Sequence, residues 1–207
     1  MEFNLWPLVG SILLLGTPSY LFFTSHVRRR VTEAQHSGGF PLPGIFLPWQ
    51  NWLDLVRAAA GAYLLFHHTF ELDRELESFY EEFGWMAGVF AVAIMLNVYY
   101  RRRHLYCLAP VFYITGISLG LFLENWWMVL YGVVAGLVFG RIINLPEAFF
   151  IVMGLVIGAF GYFFKGGVSL DLLLLCALTI LPIVYAFATK RGLVVAASRT
   201  HTIEEEW

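Results

Sequence analysis

Apolar runs long enough to cross a lipid bilayer recur along most of the chain, separated by short breaks in which charge, glycine and proline collect. Seven runs stand out, approximately Phe3–Thr24, Trp52–Phe70, Trp85–Tyr100, Leu105–Leu123, Trp126–Ile143, Ala148–Phe164 and Leu170–Thr189. A hydrocarbon core about 30 Å thick takes roughly 20 helical residues to cross. Within it only helices or closed barrels satisfy every backbone polar group. The pattern predicts an all-α fold, a polytopic transmembrane helix bundle of seven spans forming one domain over residues 1–207. The third and sixth runs are short and would cross upright or thin the bilayer, at fractions of a kcal/mol per Å. Met1–Pro7 lacks a basic head and no small-residue cleavage site follows, so the first run reads as a retained span.

Basic residues fall on alternate breaks. Arg28, Arg29 and Arg30 follow the first run, Arg101, Arg102 and Arg103 the third, Arg141 the fifth, and Lys190, Arg191 and Arg199 the seventh, ten in all. The other breaks hold only Arg74 and Lys165. Short cytoplasmic loops retain positive charge, so the expectation is an N-terminus outside and a C-terminus in the cytoplasm, in the plasma (inner) membrane. The tract 31–51 is a proline-rich cytoplasmic loop on this topology, because Gly38, Gly39, Pro41, Pro43 and Pro48 exclude a regular helix. Phe40, Ile45, Phe46, Leu47 and Trp49 make it too apolar for a solvated linker and predict a place at headgroup level or in a groove between helices.

Past the second run the periodicity changes. Leu72, Leu76, Phe79 and Phe83 recur at spacings of four, three and four, with acids on the opposite face. This predicts that span two continues as an outer amphipathic acidic helix over 71–83, closed by a left-handed Gly84. Six acids against Arg74 give 71–83 a charge of −5, and Glu75, Glu77, Glu81 and Glu82 form a surface suited to docking a basic partner. At its start, His67, His68 and Glu71 project within about one quadrant of a helix, an arrangement that would suit a divalent metal such as zinc.

Within the runs, ionisable groups are few. Asp54 and Arg57, spaced i, i+3 at the start of span two, predict a structural ion pair at the cytoplasmic boundary. Glu124 and Glu147 fall at run ends. Farther in are only uncharged polar groups, among them Ser11, Thr17, Asn97, Tyr113, Thr115, Ser118 and Thr179. That argues against proton relays and charge-coupled transport. Gly116 and Gly120, then Gly132, Gly136 and Gly140, then Gly154 and Gly158 repeat every four residues and predict close helix packing. Pro18, Pro110 and Pro182 fall inside spans one, four and seven as expected kinks.

Composition narrows the function classes. Hydrophobic residues make up 59% and charged residues 14%, against about 25% charged in ordinary soluble domains. A net charge of −2 excludes a basic nucleic-acid binder. Cys107 and Cys176, both in apolar runs, are expected as buried thiols and not as a disulfide framework. There is no HExxH, phosphate-binding glycine loop or CxxC. The favoured reading is a non-catalytic membrane subunit or scaffold, in the lipid bilayer, packing as a homo-oligomer or with other membrane subunits and carrying no organic cofactor. Two readings stay open beside it: a small channel or permease for neutral or lipid-like solutes, and an enzyme or metal site at the outer surface.

Overall fold

The computed structural model describes residues 4–18, 40, 44–69, 76–98, 106–167 and 169–195. These are mostly helical. In chain order the elements are α1 (Leu5–Gly16), α2 (Trp49–Leu64), α3 (Leu76–Asn97), β1 (Tyr106–Leu108), α4 (Val111–Leu121), α5 (Trp126–Ile143), α6 (Pro146–Lys165), α7 (Leu170–Ala188) and β2 (Gly192–Val194). Three helical stretches are long and apolar enough to cross a membrane: Leu123–Ile143, Pro146–Phe164 and Asp171–Ala188. Leu5–Gly16, Phe83–Asn97 and Val111–Leu121 are apolar but shorter.

Packing contacts set the helix directions. Asn4 N donates to Thr69 O at 3.1 Å while Gly61 meets Leu14 and Leu15, so α1 and α2 run antiparallel. Gly116 lies on Leu55 and Ala58, and Gly120 on Ala59 and Ala62, so α2 and α4 run parallel. A three-residue 3-10 turn, Leu123–Asn125, reverses the chain into α5. There Gly132 meets Met153 and Ile157 while Gly136 meets Phe149, an antiparallel α5–α6 pair. Gly154 on Thr179 and Gly161 on Leu172 make α6 and α7 antiparallel as well. Two tight pairs result, α2 with α4 and α5 with α6, and α7 joins them by packing on α6, α3 and α4.

Helix α2 is amphipathic in the reverse sense from a helix on a water-soluble domain. Gln50, Asn51, Asp54 and Arg57 are buried, whereas Trp49, Trp52 and Val56 are exposed. Elsewhere the surface carries Phe187 at 87%, Trp6 at 82% and Phe163 at 77% exposure. Water would penalise such a surface, and hydrocarbon would not.

Several element boundaries differ from the sequence pattern, for local reasons. Residues 76–83 form the head of one continuous 22-residue helix, α3, and residues 70–75, through which span two would have to continue, lie outside the described residues. Gly84 is interior to that helix and caps nothing, the positive-φ glycines being Gly166 and Gly167. A mid-helix glycine costs only about 1 kcal/mol, which the helix-forming flanks outweigh. The expected run Leu105–Leu123 is split, because Pro110 has no N–H and restricts Ala109 before it. The helix begins at Val111, and Tyr106–Leu108 pairs in parallel with Gly192–Val194. Of the three expected kinks only Pro182 is inside a helix; Pro18 follows the end of α1 and Pro110 precedes α4. The tract 31–51 ends in a 3-10 turn, Gly44–Phe46, and already enters α2 at Trp49. Phe40 is fully buried, stacked on Phe149 with centroids 6.1 Å apart. Cys107 is buried and Cys176 half-buried, both as free thiols.

The glycines separate two kinds of site. A Cβ on Gly116 or Gly120 would run into α2 backbone, whereas Gly84 and Gly88 have nothing within 4 Å. Gly116→Ala or Gly120→Ala should therefore destabilise the fold by about 1–3 kcal/mol, read as a lower unfolding midpoint in detergent titration. Gly84→Ala should leave the midpoint unchanged or raise it by up to about 1 kcal/mol; a clear loss would restore the left-handed cap at that position.

Candidate functional site

The polar centre of the molecule is built at the C-terminal end of α1. Pro18 disfavours a helical Thr17, which adopts φ −69° and ψ 116°, so the last carbonyls of α1 have no following turn to accept from. Side chains from three other helices supply the donors. Arg57 Nη1 donates to Leu14 O at 2.8 Å and to Thr17 O at 2.6 Å. Tyr113 Oη donates to Leu15 O at 2.8 Å, and Asn97 Nδ2 reaches the same oxygen at 3.3 Å. Thr17 Oγ1 donates back to Leu13 O at 2.6 Å.

Arg57 connects these groups. Its Nε donates to Asp54 Oδ1 at 2.8 Å, an i, i+3 pair whose two residues are each only 6% exposed. Its Nη2 donates to Asn97 Oδ1 at 2.7 Å, and Asn97 in turn donates to Ala93 O at 2.7 Å. The guanidinium carbon sits 5.0 Å from the Tyr113 ring centroid, within range of a cation–π attraction. One planar fork thus joins α1, α2, α3 and α4, a geometry that lysine does not reproduce. The sequence spacing relates Arg57 only to Asp54. Asn97 and Tyr113 stand among the uncharged polar groups of the spans, and nothing local to either of them points to Arg57.

The remaining candidate residues divide by location. His67 and His68 lie on a π-helical turn, Leu65–Thr69, with centroids 4.7 and 5.2 Å from that of Tyr63. His67 also packs edge-on against Phe66 at 5.0 Å. Among the described residues no three His, Cys, Asp or Glu side chains group to hold a metal, and Glu71 lies outside the described residues. Glu75 lies outside them too, while Glu77, Glu81 and Glu82 ride on the head of α3. Gly116, Gly120, Gly132, Gly136 and Gly154 each bring a neighbouring helix within 3 Å of where a Cβ would stand, Gly158 faces Cys176 Sγ at 3.3 Å, and Gly140 faces Phe40 and Phe149 at 3.4–3.5 Å. Glu147 stands in the first turn of α6, where the helix dipole favours an anion.

Two apolar grooves accompany this centre. One, of about 410 Å³, lies between α1 and α3 and is lined by Ile12, Leu15, Trp85 and Val92 among others. The other, of about 330 Å³, lies where α2 and α4 face α5. No family model, curated protein or solved structure matches the chain.

Removing the guanidinium leaves Asp54 and the α1 carbonyls without their partner. Arg57→Met should cost about 3–5 kcal/mol, the range for breaking a buried pair, measured as loss of folded protein in detergent titration. Arg57→Met with Asp54→Leu should recover part of that loss but stay below wild type, since Leu14 O and Thr17 O still lack a donor. Full recovery would show that the pair alone, and not the capping of α1, holds the site.

Proposed function

We propose that the chain is a seven-span integral membrane protein, N-terminus outside and C-terminus cytoplasmic, serving as a non-catalytic membrane subunit or scaffold. The observation that carries membrane residence is α2, with Asp54 and Arg57 turned inward and Trp49, Trp52 and Val56 outward. Intramembrane charge faces the bundle interior because hydrocarbon cannot solvate it. The alternating directions of α1, α2, α5, α6 and α7, and the parallel runs of α2 with α4, agree with a serpentine path. Trp6, Trp85 and Trp126 lie toward one end and Trp49 and Trp52 toward the other, all exposed, as two interfacial aromatic belts would require.

What supports the scaffold role is the use made of the polar groups. Arg57, Asp54, Asn97 and Tyr113 fasten helices to one another, and the two grooves are lined almost wholly by apolar atoms. Such an interior offers a polar solute no lining to replace its water. The acidic head of α3, ahead of Trp85, carries Glu77, Glu81 and Glu82, the charge that a basic partner would meet.

In mild detergent the protein should run as a stoichiometric complex with itself or another chain; a lone monomer from native membranes would overturn the subunit role. Glu77→Lys with Glu81→Lys and Glu82→Lys should weaken that association several-fold at low salt, with the difference shrinking as the screening length falls toward about 10 Å at 0.1 M. Sealed vesicles containing the protein should show solute flux no faster than empty ones, and measurable flux would favour the channel reading. A reporter that matures only in the cytoplasm should fluoresce when fused after Trp207 and stay dark when fused before Met1; the opposite result reverses the topology.

A further inference from the structure

We propose that the groove between α4 and α5 is a binding site for one anionic phospholipid, with an acyl chain in the groove and the phosphate on Arg141. The inference rests on membrane residence and not on the scaffold role. On α5 the groove is lined by the stripe Trp126, Leu130, Val133 and Leu137, and on α4 by Phe112 and Leu119. From Trp126 to Leu137 the helix rises about 16 Å. A volume of about 330 Å³ over that length is a slot roughly 20 Å² in section, wide enough for one hydrocarbon chain.

The charge at the end of the slot selects the headgroup. Spacings of four, three and four carry the stripe from Trp126 to Leu137, and the next step of four is Arg141, one turn farther along the same face. Arg141 is exposed, and its Nη1 donates to Phe40 O at a long 3.3 Å. That carbonyl is itself fixed, since Phe40 N donates to Asn144 Oδ1 at 2.8 Å and the Phe40 ring is buried on Phe149. The contact steadies the arginine at the end of the groove, where a guanidinium fork matches phosphate oxygens. The stripe is apolar up to that point and cationic at it, the order of groups along a phospholipid from tail to head.

The test uses the whole protein in vesicles and then in mild detergent. Dioleoyl phosphatidylglycerol carrying a diazirine in its acyl chain should label peptides from Val111–Leu119 and Trp126–Leu137 at least fivefold above the more exposed Leu155 and Phe187 regions. Uniform labelling of all these regions in protein that resists alkaline extraction would overturn the lipid site alone; release by alkali would instead overturn membrane residence. In native mass spectrometry, wild type should retain one phosphatidylglycerol about tenfold better than dioleoylglycerol, which lacks the phosphate. Arg141→Gln should reduce that preference to about twofold or less, Arg141→Lys should keep part of it, and Val133→Trp should lower retention of both lipids by filling the slot. An unchanged preference in Arg141→Gln overturns the headgroup assignment, and displacement of both lipids by a second copy of the chain overturns lipid as the occupant.

Discussion

The capping of one short helix by a buried guanidinium holds the first half of this molecule together. Helix α1 is only 12 residues long and ends where Thr17 yields to Pro18, so its final carbonyls must find donors elsewhere. In an apolar interior an unmet carbonyl costs several kcal/mol. Arg57, Asn97 and Tyr113 meet that demand from three separate helices, and in doing so determine where α2, α3 and α4 stand relative to α1. Asp54 compensates the positive charge at 2.8 Å. The cluster works as a whole: the arginine is tolerable because it has an acid, and the acid because it has the arginine.

The second half relies on close approach at glycines, which in the first half also joins α2 to α4. Helices α5, α6 and α7 carry few polar side chains, and they meet through glycines. Gly132, Gly136 and Gly154 let side chains or backbone of the adjoining helix approach to distances that no Cβ would permit. Close approach gains dispersion contacts that apolar side chains exposed to lipid do not otherwise gain. Between the two halves lies the slot lined by α2, α4 and α5. The seam, with α4 and α5 joined by a three-residue turn, leaves a hydrocarbon-sized space lined by apolar side chains and Thr115.

Much of this architecture is legible in the residue pattern because lipid imposes a simple rule on sequence: long apolar runs, charge at their ends. The fifth run is α5 to the residue, and the sixth and seventh differ from α6 and α7 by no more than two residues at either end. Where the reading departs from the structure, backbone chemistry or distance in the chain is the cause. Pro110 starts a helix that a hydropathy pattern runs straight through. Leu76–Phe83 belongs to the helix that carries the third run, since a stripe of leucine and phenylalanine has the same period whichever apolar run it joins. The pairing of Tyr106–Leu108 with Gly192–Val194 is invisible in three-residue strands far apart in sequence.

By itself the sequence determined the helical class, the placing of basic residues in alternate breaks between apolar runs, the i, i+3 relation of Asp54 to Arg57, and the glycine ridges. These are local or periodic features, and local physics writes them directly into residue order. Only the tertiary structure decided that Arg57 caps α1, that Asn97 and Tyr113 share the task, and that Arg141 continues the stripe lining an apolar slot. Each of these depends on helices distant in sequence meeting at a particular register, and that register is set by the joint packing of all of them, which no single segment encodes.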